Sequence, residues 1–201
     1  MATRREELAE AATDYAIDHG LIGLSLRPLA VALGTSDRML LYHFRDKDDL
    51  IATIVRTSTT RSVASIRDLP PSTDLRAAVL DLWRATSTGR LQACQRLYVE
   101  AASLGLFGHE PYATEVREAN SVWMSALADH LAGVGLSASA ARQAANLVDA
   151  AFMGLQLDQP LDSRAQQQRT IRDLADSVAA RWGPHGTPGS PAPQDAQPGS
   201  A

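Results

Sequence analysis

Apolar residues recur at helical spacing in almost every segment of this chain, and nowhere does it sustain the alternating β-branched pattern of a half-buried strand. That restricts the fold to packed helices. The first is expected from Thr3 to His19, with Leu8, Ala11, Ala12, Tyr15 and Ala16 facing inward and Gly20 as the stop. A second follows Ser25, holds Pro28 in its first turn where a missing N–H costs little, and ends near Leu33. Gly34-Thr35-Ser36 is a short break, and Thr35 or Ser36 caps a third helix through Phe44. A fourth begins near Asp46 and carries Leu50, Ile51, Ile54 and Val55 until Pro70-Pro71 ends it. Five more are expected at about 74–87, 90–106, 111–133, 138–157 and 163–182. After Trp182 the chain turns to Pro, Gly, Ser, Ala and Gln, and residues 183–201 are expected to be a disordered tail.

Composition narrows the function. With 201 residues, 45% of them apolar, the chain buries a real core. A net charge of −4 excludes a global basic field, so nucleic-acid binding must use a local patch. The single cysteine, Cys94, excludes an internal disulfide and a Cys-based structural zinc site. No run approaches the ~20 apolar residues that span a bilayer. The N-terminus lacks a signal-peptide core, so a cytoplasmic protein without a membrane partner is expected. No P-loop, G-x-G-x-x-G, H-E-x-x-H or G-x-S-x-G motif occurs, and Pro111 after His109-Glu110 rejects a metalloprotease helix. No enzyme activity, cofactor or metal is expected.

Residues 25–44 read as helix, tight turn, helix. Leu26, Leu29, Ala30 and Leu33 form the first inner stripe, and the small Ala30 allows a close crossing. Leu40, Leu41 and Phe44 are expected to face inward on the second helix. Ser36, Asp37, Arg38, Met39, Tyr42 and His43 are left outside, as a major-groove helix requires. Over residues 25–47 the cations are Arg27, Arg38, Arg45 and Lys47 and the acids are Asp37 and Asp46; four minus two gives +2, against −4 for the whole chain.

The run from Gly34 to Leu50, GTSDRMLLYHFRDKDDL, together with Ser25-Leu26-Arg27 and the helix ending at Gly20, resembles the signature of TetR-type (TetR/AcrR) transcriptional repressors. The stretch from Arg96 to Leu136 looks like the corresponding part of some actinobacterial members. The resemblance implies an all-α fold: a DNA-binding unit over 1–60, then a helical effector-binding and dimerisation domain over 61–182. It implies that Thr35 and Ser36 lie at the DNA-facing turn, that Arg27 meets a base or phosphate, and that Asp37, Arg38 and Met39 face bases. Tyr42 and His43 would face phosphate, and Lys47 would hold one at the start of the fourth helix. Leu41 stands where many members have tyrosine, so that contact is lost or passes to Tyr42. Asp37 must cap its helix, act as a spacer or accept from a cytosine amine. Arg4 and Arg5 are either a DNA-contacting arm or a solvated terminus.

In the C-terminal part, Tyr112, Val116, Ala119, Trp123, Leu127, His130 and Val134 share one helical face, with Asn120 beside it. Inward polar groups must be paired or face a cavity. Leu91, Cys94, Leu97, Tyr98 and Ala101 are expected opposite, with Glu100 at their edge. A small apolar or amphipathic effector is expected near Trp83, Tyr98, Asn120, Trp123 and His130; each of these could equally be core. The last two helices carry stripes of Ala144, Leu147, Val148, Ala151 and Leu155, and of Ile171, Leu174, Ala175, Val178 and Trp182. The resemblance implies that such helices pair two subunits; the alternative is that they close the chain's own core. The expected function is a homodimeric repressor on a palindromic double-stranded DNA operator. A helical adaptor that keeps the fold without effector-controlled regulation is the rival.

Overall fold

A computed structural model describes residues 3–158, 161 and 163–183. Apart from Gly183, the expected tail lies outside the described residues. Among the described residues there are nine helices and no strand: α1 (Arg4–His19), α2 (Leu26–Ala32), α3 (Asp37–His43), α4 (Lys47–Arg67), α5 (Leu75–Thr86), α6 (Gly89–Leu106), α7 (Tyr112–Ala132), α8 (Ala138–Leu157) and α9 (Arg164–Trp182). None of the described helices is long and apolar enough to cross a membrane.

Local chemistry sets several boundaries. Thr3 and Glu6 form a reciprocal capping box at α1. Ser36 accepts from Met39 N–H at α3, Asp46 from Asp49 N–H at α4, and Asp74 from Ala77 N–H at α5. Between α2 and α3, Gly34 sits at φ +64°, a left-handed conformation that glycine adopts without strain. Thr35 N–H then bonds back to Ala30 O at 2.9 Å, closing the turn.

Two apolar clusters result. One joins α1 to α4 around Leu8, Leu29, Leu40, Phe44, Leu50 and Ile54. The other lies among α5, α7, α8 and α9, around Val79, Leu82, Leu127, Leu131, Val148 and Val178. Helix α4 enters both, with Leu50, Ile51, Ile54 and Val55 in the first and Val63 and Ile66 in the second. It packs on α1, α6 and α7, and α6 and α7 also contribute residues to both clusters.

Several expected faces turn out differently. Ala11 is exposed, and Ala9 and Thr13 are buried in its place. Thr13 tolerates burial because its hydroxyl donates to Ala9 O at 2.7 Å. Leu41 is 43% exposed, because Leu40 and Phe44, one helical turn apart, take the inward direction and leave it about 100° round the helix. The stripes read as a subunit interface mostly close the chain's own core: Val148, Leu155, Ile171, Ala175 and Val178 are buried within one chain. Leu147 is exposed, while Ala151 and Leu174 are half-buried.

The first cluster is fastened to the rest at the α1–α2 turn. Glu100 of α6 accepts from the N–H groups of Leu21 and Ile22 at 2.7 and 2.9 Å. Gly20 sits there at φ +86°, and a Cβ on it would come within 2.9 Å of Glu100 Oε2. Arg61 of α4 pairs with Glu10 and Asp14 of α1, and Arg90 of α6 joins Asp14. Glu100→Ala is expected to leave both N–H groups without their acceptor and to cost about 1–3 kcal/mol. Glu100→Gln retains one acceptor and should recover part of that loss. Urea unfolding checks this, and equal midpoints for Glu100→Ala and the parent would contradict it.

Candidate nucleic-acid interface and interior crevice

Helix α3 presents a free outer face. Asp37, Arg38, Met39 and Leu41 are exposed, and Tyr42 is 79% exposed with its ring edge-on to His43, centroids 5.1 Å apart. Arg27 is exposed in the first turn of α2, and Lys47 is exposed as the first residue of α4, where unbonded N–H groups favour an anion. Thr35 is half-buried and Ser36 exposed. The cap of α3 is Ser36, so Asp37 is not the cap; as a first-turn carboxylate it is favoured by the helix dipole. Among the described residues, Arg27, Arg38 and Lys47 take part in no ion pair.

Arg5 is no free arm. Its Nε donates to His43 O at 3.1 Å, its guanidinium pairs with Asp49 at 3.2 Å, and it lies 4.9 Å from the Phe44 ring centroid. It clasps the C-terminal end of α3, where the last carbonyls lack helical partners, to the start of α4. Burial pushes the Asp49 carboxyl up, but the Arg45 N–H together with Arg5 and Arg45 holds it below the usual carboxylate range. Arg4 pairs with Glu7 at 3.0 Å.

Behind this region, α4, α6 and α7 enclose a crevice whose lining includes Ser58, Cys94, Gln95, Tyr98, Ala119 and Trp123. About 20 Å³ is open, room for roughly one water. Trp123 donates from Nε1 to Asp149 Oδ1 at 2.8 Å. Burial pushes the Asp149 carboxyl up, and the Trp123 bond opposes it. Burial, then the Asp149 charge, pushes the Tyr98 phenol up.

Of the five residues expected to share an effector pocket, Tyr98 and Trp123 meet here. Trp83 instead packs edge-on against Phe152, centroids 5.1 Å apart. His130 sits 3.5 Å from the Ser72 hydroxyl; burial pushes its pKa down while Asp81 raises it. Asn120, one residue past the buried Ala119, is turned about 100° from it and lines an exposed α7–α8 groove. Sequence reasoning missed Glu115, which is 7% exposed and pairs with Arg56 of α4 at 2.6 Å. The signal was there: Glu115, Ala119, Trp123 and Leu127 recur every four residues, which puts a carboxylate on an inward stripe.

Known proteins agree with the head geometry. Residues 8–54 match the family of bacterial regulatory proteins, tetR family. That match covers the helix-turn-helix head. The matched residues are those that build most of α1, all of α2 and α3, and the start of α4. No curated protein matches the sequence. Solved structures share the fold over nearly the full length. A transcriptional regulator from Rhodococcus sp. Rha1 is 22% identical with a TM-score of 0.72, covering 90% of this chain and 98% of that one. The multidrug binding protein EbrR, complexed with proflavin, is 20% identical with a TM-score of 0.64, covering 88% and 99%. A Saccharomonospora viridis protein in complex with choline is 18% identical with a TM-score of 0.62, covering 87% and 94%.

Proposed function

We propose that the protein is a homodimeric repressor that leaves a palindromic operator when a small molecule enters the crevice. The observation that carries this reading is the set of exposed cations, Arg27, Arg38 and Lys47, engaged in no ion pair among the described residues and grouped around α3. Arg38 and Met39 read bases, and Asp37 spaces the helix or accepts from a cytosine. Thr35, Ser36, Arg27, Tyr42, His43 and Lys47 hold the sugar-phosphate backbone. Residues 1–60 act as the reading head and residues 61–182 as the sensing and pairing body.

Pairing uses the outward sides of α8 and α9, not the buried stripes. Leu147, Ala150 and Gly154 are exposed and recur at helical spacing on α8, and Leu174 is accessible on α9. Two such faces related by a two-fold axis would set the α3 helices for two half-sites. The effector is a small apolar or amphipathic molecule seated between Tyr98 and Trp123. Support comes from the aromatic lining and from relatives of the same fold that hold proflavin and choline. The open space is far smaller than a drug-sized ligand needs, so binding must part α4, α6 and α7. Because α4 enters both clusters and begins at Lys47, that movement changes the separation of the heads.

A thermal-shift screen of small molecules, followed by DNA release measured on the region upstream of the protein's own gene, tests this. A coupling of ~1–3 kcal/mol would weaken DNA binding by about 5–150-fold. If every stabilising compound left DNA affinity unchanged, the effector-controlled reading would be wrong and the adaptor reading would gain.

A further inference from the structure

We propose that the molecule taken by this crevice is an organic cation bearing N–H donors on an apolar body, whose charged end displaces Arg56 and pairs with Glu115. This rests on the effector reading above and names its chemistry. Glu115 of α7 is more than nine-tenths buried. Its Oε1 accepts from Arg56 at 2.6 Å, but its Oε2, shielded from solvent, has no hydrogen-bond partner among the described residues. A buried carboxylate with one oxygen unsatisfied is costly, and a donor that met both oxygens would relieve it. An amidinium or guanidinium fork does so with two parallel N–H bonds.

The surroundings favour a cation. Burial pushes the Glu115 carboxyl up, Arg56 pulls it down, and Glu118, Asp49 and Glu110 push it up again; Asp49 is itself paired with Arg5 and Arg45, which leaves Glu118 and Glu110 beside the Glu115–Arg56 pair. Glu115, Glu118 and Arg56 line a hollow of about 210 Å³ between α4 and α7. Thr59 and Ala119 line both that hollow and the crevice containing Tyr98 and Trp123. A charged end and an aromatic end therefore adjoin along α4 and α7. The Arg56 side chain is half exposed and has solvent to move into.

Displacing Arg56 also reaches α3. Arg56 donates to Thr53 Oγ1 at 3.3 Å, and the same oxygen accepts from Arg5 at 3.4 Å. Arg5 in turn holds His43 O. A cation at Glu115 thus removes one support from the clasp on the DNA-facing helix.

The test is calorimetric titration of the full chain with 2-naphthamidine and with its uncharged counterpart 2-naphthamide. The cation should bind at least tenfold more tightly. Glu115→Gln should abolish that preference while keeping 2-naphthamide affinity, and Trp123→Leu should weaken both ligands. Glu118→Gln, at an exposed position, should reduce the preference two- to threefold and serves should Glu115→Gln fail to fold. Equal affinity for both ligands, or a preference that survives both Gln variants, would overturn the cation assignment while leaving the crevice as an effector site. Failure of both ligands to bind at millimolar concentration would overturn the crevice reading and the cation assignment together.

Discussion

Phe44→Ala is expected to abolish DNA binding by unfolding the N-terminal head while the distal helices stay folded. The ring is 1% exposed and belongs to the cluster that unites α1, α2, α3 and α4. Removing a buried Phe ring costs about 3–5 kcal/mol in transfer and cavity terms. Two further losses fall on the same region: the Arg5 guanidinium loses the ring beneath it, and the C-terminal end of α3 loses its fixed position. The second cluster, among α5, α7, α8 and α9, contains no part of Phe44's surroundings and has its own buried centre. Hydrogen exchange should therefore show protection lost over α1, α2 and α3 and kept over α8 and the C-terminal half of α7. Phe44→Leu refills most of the volume and should cost less. A Phe44→Ala protein that binds DNA like the parent would show that the head is not organised around this ring.

Arg38→Ala should have the largest effect among substitutions that leave the fold intact. Arg38 is exposed, it is in no ion pair among the described residues, and it lies one residue into the outer face of α3. An arginine that reads guanine contributes about 1–3 kcal/mol of discrimination, so operator affinity should fall by about 5–150-fold with little change for unrelated duplexes. Lys47→Ala should behave differently. As a phosphate contact it should weaken all duplexes alike and lower the double-logarithmic salt slope by about one. Anisotropy titrations on operator and scrambled duplexes separate the two. Uniform weakening by Arg38→Ala would make it a backbone contact.

The helices themselves were legible in the sequence because each carries a local signal. Thr3, Ser36, Asp46 and Asp74 supply side-chain caps, Gly20 and Gly34 supply turns, and the apolar spacing supplies the interior. Helix α3 was legible for the same reason, and the family match over residues 8–54 spans it. What failed was the choice of face on helices packed from several sides. In α8 and α9 an apolar stripe marks burial, but the pattern cannot say whether the covering surface is the same chain or a second one. Asn120 and His130 were grouped with Trp123 by angle alone. His130 lies beside the α4–α5 connection, two turns along α7 from Trp123. Leu41 lies between two true core residues, next to Leu40 and three positions before Phe44. Arg5 and Glu115 act through partners 38 to 59 positions away, and no local pattern encodes such pairings.

The most direct measurement is anisotropy titration of the full chain against the duplex upstream of its own gene across a range of salt, with the mass of the complex recorded alongside. Expected is a complex of two chains per site, with log Kobs falling linearly in log salt at a slope of several units, as a few neutralised phosphates require. A single-chain species that ignores duplex DNA even at low ionic strength would contradict the reading of α3 as a DNA-binding helix.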